Sequence, residues 1–185
     1  MGQELRRIRQ YLSLDRARLV ANALVTSRFD YCNSLLRSLS GANLRRLQCI
    51  QNNLAHIVVN QRGLTRASPI LHKLHWLPVK YRCMFKVATL IYKFLQNGTP
   101  QYFNTTFTPY SCSYNTRRGS IDKRFLAVPQ FQPSLHKSKK QFNNCLAFDG
   151  STLWNTLPDN IRTAPSLTSF RKRLKSHFFD MAFPP

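Results

Sequence analysis

The stretch His75–Pro100, HWLPVKYRCMFKVATLIYKFLQNGTP, contains a long amphipathic helix pattern that indicates the fold of the chain. Pro78 suits the first position of a helix, and Gly98 and Pro100 are expected to end it. Apolar side chains recur at helical spacing through Tyr81, Met84 or Phe85, Ala88, Ile91 or Tyr92, and Leu95. The same helix carries only positive charge: Lys80, Arg82, Lys86 and Lys93. Because a helix that only packs usually carries both signs of charge on its wet side, we expect these cations to face a negatively charged partner.

Shorter helices are predicted before this stretch. Residues 4–12 indicate a short basic helix, and Ser13 can cap a second helix that has Asp15 in its first turn. The apolar line of this second helix is expected to be Val20, Leu24, Ser27, Tyr31 and Leu35. A third helix is expected to place Leu44, Leu47, Leu54, Ile57 and Val58 in register, and Gly63 is its expected left-handed cap.

After residue 103 the helical periodicity is lost for a time. Residues 104–141 have the composition of a long loop, and RFLAVPQF (124–131) predicts one edge β-strand because Pro129 lacks an amide hydrogen. The motif LWNTLPDNIR predicts a short helix carrying Leu153 and Trp154, followed by a turn. Ser166 is expected to cap a last helix whose buried line is Leu167, Phe170, Leu174 and Phe178. The terminal DMAFPP is expected to fray.

The predicted fold class is therefore mainly α. A helical bundle over about 4–103 is followed by a loop-rich segment with little β structure and by a C-terminal helix. These patterns divide the chain into four segments: 1–62, 63–103, 104–150 and 151–185.

The charge balance indicates the class of partner. There are 28 lysines and arginines against 7 acidic residues, which gives a formal net charge of +21. A compact chain with this charge repels itself, and a bound polyanion relieves the repulsion. Nucleic acid is the first partner that this indicates, whereas an anionic membrane surface and a merely solubilising surface are the alternatives.

The candidate nucleic-acid contacts are basic residues on the predicted helices and on one loop. They are Arg16, Arg18, Arg28, Arg45, Arg46, Lys80, Arg82, Lys86, Lys93, Arg117, Arg118, Arg171, Lys172, Arg173 and Lys175. Arginine forks onto phosphate oxygens, whereas lysine supplies a point charge. Tyr110 and Tyr114 lie near Arg117 and Arg118 in sequence, and they either stack on unpaired bases or attach the loop to the core.

The sequence predicts no enzyme site, metal site or cofactor. Its seven acidic residues are scattered singly, whereas two-metal phosphoryl transfer needs carboxylates close together. The histidines never recur at i and i+4, no glycine-rich phosphate loop occurs, and the five cysteines lack the short spacing of a zinc site. Reduced cysteines, no signal-peptide pattern and no apolar run of about 18 residues predict an intracellular protein of the cytoplasm or nucleus, without a membrane span.

Four segments resemble, in order, the landmarks of one protein family: LVTSRFDYCNSLL, LRRLQCIQNNLAHIV, LHWLPVKYRCMFKVATLIYKFLQNGTPQY and LWNTLPDNIRTAPSLTSFRKRLKSHFF. That family is the open reading frame 2 polyprotein of non-LTR (LINE-type) retrotransposons, particularly the chicken-repeat-1, L2 and Rex-like groups. The similarity covers roughly residues 4–179 and corresponds to the thumb and the region after it. The segment FDGSTLWN departs from the family's more usual Phe, then Ala-Pro, then Leu-Trp pattern.

The resemblance implies a thumb-like region at 1–62 and a parent protein that is an RNA-directed DNA polymerase with an endonuclease. In that family the catalytic carboxylates lie in the palm, upstream of the region that this chain resembles. This sequence contains no Asp-Asp pair, so no catalytic residue carries over and the chain alone is expected to be inactive. The resemblance also implies phosphate contacts to RNA, DNA or a template–primer hybrid, and association with a palm region.

Three alternatives stay open at this point. The first is a decayed retrotransposon-derived protein without function, and the second is a domesticated protein-interaction module. The third is a peripheral membrane binder that uses its basic amphipathic helices.

Overall fold

The structure, a computed structural model, describes residues 2–31, 33–34, 36, 39–61, 65–110, 124–131 and 145–184. It is mainly helical, which confirms the predicted fold class. The α-helices are α1 (Gly2–Ile8), α2 (Leu14–Ala21), α3 (Ser27–Asp30), α4 (Gly41–Val59), α5 (Ala67–Lys73), α6 (Val79–Asn97), α7 (Leu146–Thr156), α8 (Asp159–Arg162) and α9 (Leu167–Ala182). Short 3-10 helices cover Arg9–Tyr11 and Gln101–Asn104, and a π-helical segment covers Asn22–Thr26.

The chain divides into two compact units. The first comprises 1–83 with 177–185, and the second comprises 84–176. The four segments expected from the sequence stay a prediction.

The π-helical segment between α2 and α3 changes which side chains are buried. Ser13 caps α2 as predicted, since its Oγ accepts a hydrogen bond from the Arg16 amide at 3.4 Å. The predicted apolar line is wrong, however, because Leu24, Ser27 and Tyr31 are exposed, and Leu35 lies outside the described residues. The wider π turn instead keeps residues four apart in line, so the buried or half-buried stripe is Ala17, Ala21, Val25 and Phe29.

The core of the first unit forms where α2, α4 and α5 pack together. Ala17 and Ala21 have no side-chain atoms beyond Cβ, which lets α2 approach α4 closely, and both residues are fully buried. The remaining core side chains are Leu5, Leu54, Ala55, Val58, Ile70, Leu71, Leu74 and Trp76. Among the residues predicted for the third helix, Leu54 and Val58 are fully buried, whereas Leu44, Leu47 and Ile57 are half-buried.

Glutamine side chains of α4 fix the backbone that leads into α6. Gln51 is buried, and its Nε2 donates a hydrogen bond to the Leu77 carbonyl at 2.9 Å. Gln48 accepts a hydrogen bond from the Val79 amide, also at 2.9 Å, and donates to Gln51 at 3.0 Å. The start of α6 is therefore held by side chains of an earlier helix in the same unit.

Two helix ends differ from their predictions. The residue after α4 is Asn60, and its φ of 57° is left-handed. This conformation lets its backbone amide return to the last turn of the helix. The predicted cap, Gly63, lies outside the described residues. The expected fraying of DMAFPP is wrong for 180–182, since α9 continues to Ala182. Beyond this helix, the Phe183 ring packs against Phe179 at 4.9 Å between ring centroids and against His72 at 5.4 Å, which anchors the chain end.

The core of the second unit is rich in aromatic rings. Trp154 lies on a helix, α7, as predicted; it is buried, and its Nε1 donates a hydrogen bond to the Arg124 carbonyl at 2.7 Å. The Tyr92 ring stacks on Phe170 with centroids 4.2 Å apart, and the Tyr92 hydroxyl donates to the Ala164 carbonyl at 2.8 Å. Ser166 caps α9 as predicted, and Phe170 and Leu174 of its buried line belong to this core.

The predicted strand at 124–131 is wrong. This segment is extended, but the described residues contain only an isolated antiparallel bridge between Pro109 and Leu126. The Asn155 side chain takes the place of a neighbouring strand, since it accepts a hydrogen bond from the Leu126 amide at 3.0 Å and donates one to its carbonyl at 2.8 Å. A single amide side chain thus satisfies backbone groups that a sheet would otherwise pair.

Candidate nucleic-acid interface

Most of the predicted cationic contacts are exposed to solvent. The exposed candidates are Arg16, Arg28, Arg45, Arg46, Lys80, Lys86, Lys93, Arg171, Lys172, Arg173 and Lys175. Arg18 and Arg82 are half-buried, and each forms an ion pair with a carboxylate of its own unit. Arg117 and Arg118 lie outside the described residues, as does Tyr114, whereas the described Tyr110 is exposed.

Arg82 has a structural role within the first unit. Its Nη1 lies 3.1 Å from Oδ1 and 3.2 Å from Oδ2 of Asp30, and its Nε donates to the Leu77 carbonyl at 3.0 Å. Arg18 lies in a more open pair, with Nη2 3.3 Å from Asp15 Oδ1. Because a carboxylate already compensates each charge, these two arginines have less to gain from phosphate than the exposed cations.

The basic residues at the start of α6 do not share one face. Lys80 and Arg82 are two positions apart and therefore point about 200° apart around the helix. The Lys80 Nζ lies 6.0 Å from the centre of the Tyr81 ring. In the second unit, Lys86 and Lys93 are seven positions apart, which places them in one line, and both are exposed.

The basic cluster of α9, Arg171–Lys175, covers the sides of the helix that the core leaves open. Phe170 and Leu174 define the buried side, and Lys172 lies nearly opposite to it. Arg171 and Lys175, four positions apart, share one flank. Arg173 lies on the other flank, where its Nη1 donates a hydrogen bond to the Asn160 carbonyl. Three of these cations are thus directed outward, and the fourth is also attached to its own unit.

An apolar groove lies in the first unit beside Arg28. It has a volume of about 720 Å³ and is lined by Leu24, Val25, Phe29, Leu47, Ile50, Leu54 and Ile57, with Gln3, Asn53 and the two cations Arg6 and Arg28. Leu24 is 43% exposed and Ile50 is 50% exposed, so apolar surface faces solvent here. The incorrect assignment of the α2 line from sequence concealed this groove, because Leu24 was expected to be part of the core.

A second, polar cleft in the first unit was also missed at the sequence level. Its volume is about 750 Å³, and its lining residues are Arg6, Arg9, Gln10, Asn53, His56, Ile57, Asn60 and Gln61. The sequence predicts a short basic helix at 4–12, which includes Arg6 and Arg9. No pattern in it indicates that α4 brings amides and an imidazole beside these two arginines.

The described residues support neither a metal site nor a membrane-spanning helix. Within them, no group of three or more His, Cys, Asp or Glu residues is placed to hold a metal ion. None of their helices combines the length and apolar character that crossing a membrane requires. Cys49 and Cys145 are free thiols and Cys83 is buried, whereas Cys32 and Cys112 lie outside the described residues.

Comparison with known proteins adds no relative. No protein-family model, no curated protein and no solved structure matches this chain.

Proposed function

We propose that this chain is a non-catalytic C-terminal fragment of a LINE-type reverse transcriptase, which binds RNA, DNA or a template–primer hybrid through phosphate contacts. The four ordered sequence landmarks support the origin. The observation that carries the binding activity is the exposure of most candidate cations on helices, in a chain with 28 basic and 7 acidic residues. Each neutralised phosphate releases counterions, so such a surface favours a polyanion without needing base contacts.

The proposal assigns no catalytic residue to this chain. Phosphoryl transfer by two metal ions requires neighbouring carboxylates, and the sequence has no Asp-Asp pair. The bond-making groups would belong to a palm region with which the fragment associates. A phosphate-binding fragment of this kind would act where RNA and DNA are found, in the cytoplasm or the nucleus.

The purified chain is expected to bind an RNA–DNA hybrid but to add no nucleotide to its primer. Binding follows from the exposed cations, and inactivity follows from the lack of paired carboxylates. Fluorescence anisotropy measures the first, and a primer-extension gel with Mg²⁺ or Mn²⁺ measures the second. Extension of the primer, with contaminating polymerase removed, would show that the assignment of a non-catalytic role is wrong.

A protein-interaction module is the second candidate function, and the apolar groove favours it. The groove has exposed leucine and isoleucine side chains, and its only charged lining residues, Arg6 and Arg28, are positive. An amphipathic helix with an apolar face and acidic flanks matches both properties. We take such a helix as the occupant of the groove.

Replacing Ile50 by glutamate is expected to weaken binding of an acidic amphipathic helical peptide by about tenfold, because a carboxylate would then lie within apolar surface beside an acidic partner. Leu19→Glu is the matched control, since Leu19 is 66% exposed and does not line the groove. Isothermal titration of the peptide measures both variants. Equal losses in the two variants, or none, would remove the groove as the docking site.

A further inference from the structure

The polar cleft of the first unit has the size and lining of a small-ligand site. It lies between the segment 6–10, at the end of α1 and in the following 3-10 helix, and residues 53–61 at the end of α4. Its volume of about 750 Å³ falls within the range of known small-molecule sites, which is roughly 300–1,000 Å³. A double helix is too wide for such a cleft, whereas a single nucleotide fits.

The cleft is lined by two formally charged residues, and both are positive. Arg6 and Arg9 line it, and no carboxylate does. The Arg9 guanidinium is held in place, because its Nε donates to the Val58 carbonyl at 2.7 Å and its Nη1 to the Leu12 carbonyl at 2.6 Å. An arginine has five N–H donors, so these bonds orient Arg9 and leave donors for a ligand. Exposed Arg6 can adjust to the same ligand. This pair favours an anion with several acceptor oxygens, such as a phosphate.

The other polar groups of the cleft both donate and accept hydrogen bonds. Gln10, Asn53, Asn60 and Gln61 each contribute a side-chain amide, and such amides pair with the edges of nucleobases. His56 also lines the cleft, so a bound base would lie beside its imidazole ring. The Nδ1 of this ring is buried and has no hydrogen-bond partner among the described residues. Ile57 gives the lining an apolar surface on which a base can rest.

We propose that this cleft binds a phosphorylated nucleoside, with its phosphate at Arg6 and Arg9 and its unpaired base beside the amides and His56. The inference rests on the proposed function, nucleic-acid binding, and names a specific site for it. The nucleoside is either one unit of a single strand or a free nucleotide, since both present the same phosphate and base. The exposed cations elsewhere contact backbone phosphates alone, whereas this cleft also contacts a base.

Arg6 and Arg7 provide a matched pair of variants for the test. Both are exposed neighbours on α1 and carry the same charge, but only Arg6 lines the cleft. Arg6→Gln is expected to weaken binding of a labelled single-stranded oligonucleotide by about tenfold, the effect of losing a charge-assisted hydrogen bond. Arg7→Gln is expected to weaken it by less than about twofold, as for an exposed, screened charge. Anisotropy measures the affinities, and circular dichroism confirms that each variant is folded.

The His56 imidazole provides a second readout that does not depend on a variant. In NMR spectra of the whole chain, a nucleoside monophosphate is expected to shift the His56 ring signals, whereas inorganic phosphate, which has no base, is not. If Arg6→Gln weakens binding of the oligonucleotide more than binding of the monophosphate, the natural ligand is a unit of a strand; equal losses indicate a free nucleotide. Equal losses for Arg6→Gln and Arg7→Gln, with no shift at His56, would overturn the cleft and leave nucleic-acid binding intact. If the wild-type chain binds no nucleic acid, the proposed function fails as well.

Discussion

Raising the salt concentration from about 50 mM to about 200 mM is expected to weaken binding of an RNA–DNA hybrid by about a thousandfold. Each phosphate contact releases condensed counterions, so log K falls as log salt rises. For duplex DNA, each contact makes this negative slope steeper by about 0.9. About six contacts, fewer than the exposed candidates, are enough for this loss. Anisotropy titrations at several salt concentrations give the slope directly.

The salt dependence separates phosphate binding from the alternatives. The affinity of a partner that covers the apolar groove depends weakly on ionic strength, because no counterions are released when apolar surface is covered. A control titration with an acidic amphipathic peptide should therefore show a much shallower slope than the hybrid. A flat titration with the hybrid would exclude phosphate contacts as the source of affinity.

Gly150→Val is expected to lower the free energy of unfolding by about 3 kcal/mol, the upper end of the usual effect of overpacking a core. A Cβ atom at position 150 would lie 2.9 Å from Phe107 Cε1, 3.1 Å from Phe107 Cζ and 3.3 Å from Ile91 Cδ1. The Phe107 ring cannot move away easily, because it is buried and packs edge-on against Phe103 with centroids 5.2 Å apart. Urea denaturation followed by circular dichroism measures the change.

Gly41→Val is the matched control for the glycine substitution. A Cβ at the first residue of α4 would meet only the flexible Arg45 side chain, with Nη1 at 3.7 Å, so the change should stay within about 0.5 kcal/mol. Gly150→Ala should lie between these two, because better helix propensity, about 1 kcal/mol, offsets part of the clash. If Gly150→Val has no effect, or if the wild-type chain melts without cooperativity, the α7 core is not formed and the decayed-protein alternative gains support.

Local signals in the sequence predicted much of the fold. Ser13 and Ser166 precede helices and cap them. A serine hydroxyl at this position accepts a hydrogen bond from an amide of the first helical turn, and this local bond does not depend on how the helix packs. The apolar line of α9 was also predictable, since Phe170, Leu174 and Phe178 recur at steps of four. The end of α6 was predicted at Gly98, and the helix does end at Asn97; Gly98 follows it in a left-handed conformation with φ 65°.

Non-local packing decided the features that the sequence misrepresented. The regular spacing of apolar residues does not reveal a π turn. The larger apolar residues near it were therefore assigned to the core, and the burial of Ala17 and Ala21 was not predicted. The extended segment around Leu126 has a strand-like sequence, but its partner is the side chain of Asn155, which lies 29 positions later. Phe183 packs against the local ring of Phe179 and also against His72, which lies 111 positions earlier and which no local pattern indicates.

The exposure of most candidate cations follows from the sequence, whereas their contacts within the fold do not. Surface arginines and lysines follow from composition, because there are too few acids to neutralise them. The pairing of Arg82 with Asp30 joins residues 52 positions apart, and no helical period connects them. Arg6 and Arg9 acquire a cleft only because the end of α4 lies beside them.

The salt slope of a variant neutralised on α9 tests most directly whether exposed cations on helices bind phosphate. The variant Arg171→Gln, Lys172→Gln, Lys175→Gln removes three outward charges and keeps Arg173, which is bonded to Asn160. If each of the three residues contacts a phosphate, the slope of log K against log salt for hybrid binding should become less steep by about three relative to the wild-type chain. An unchanged slope in a folded variant would contradict the account.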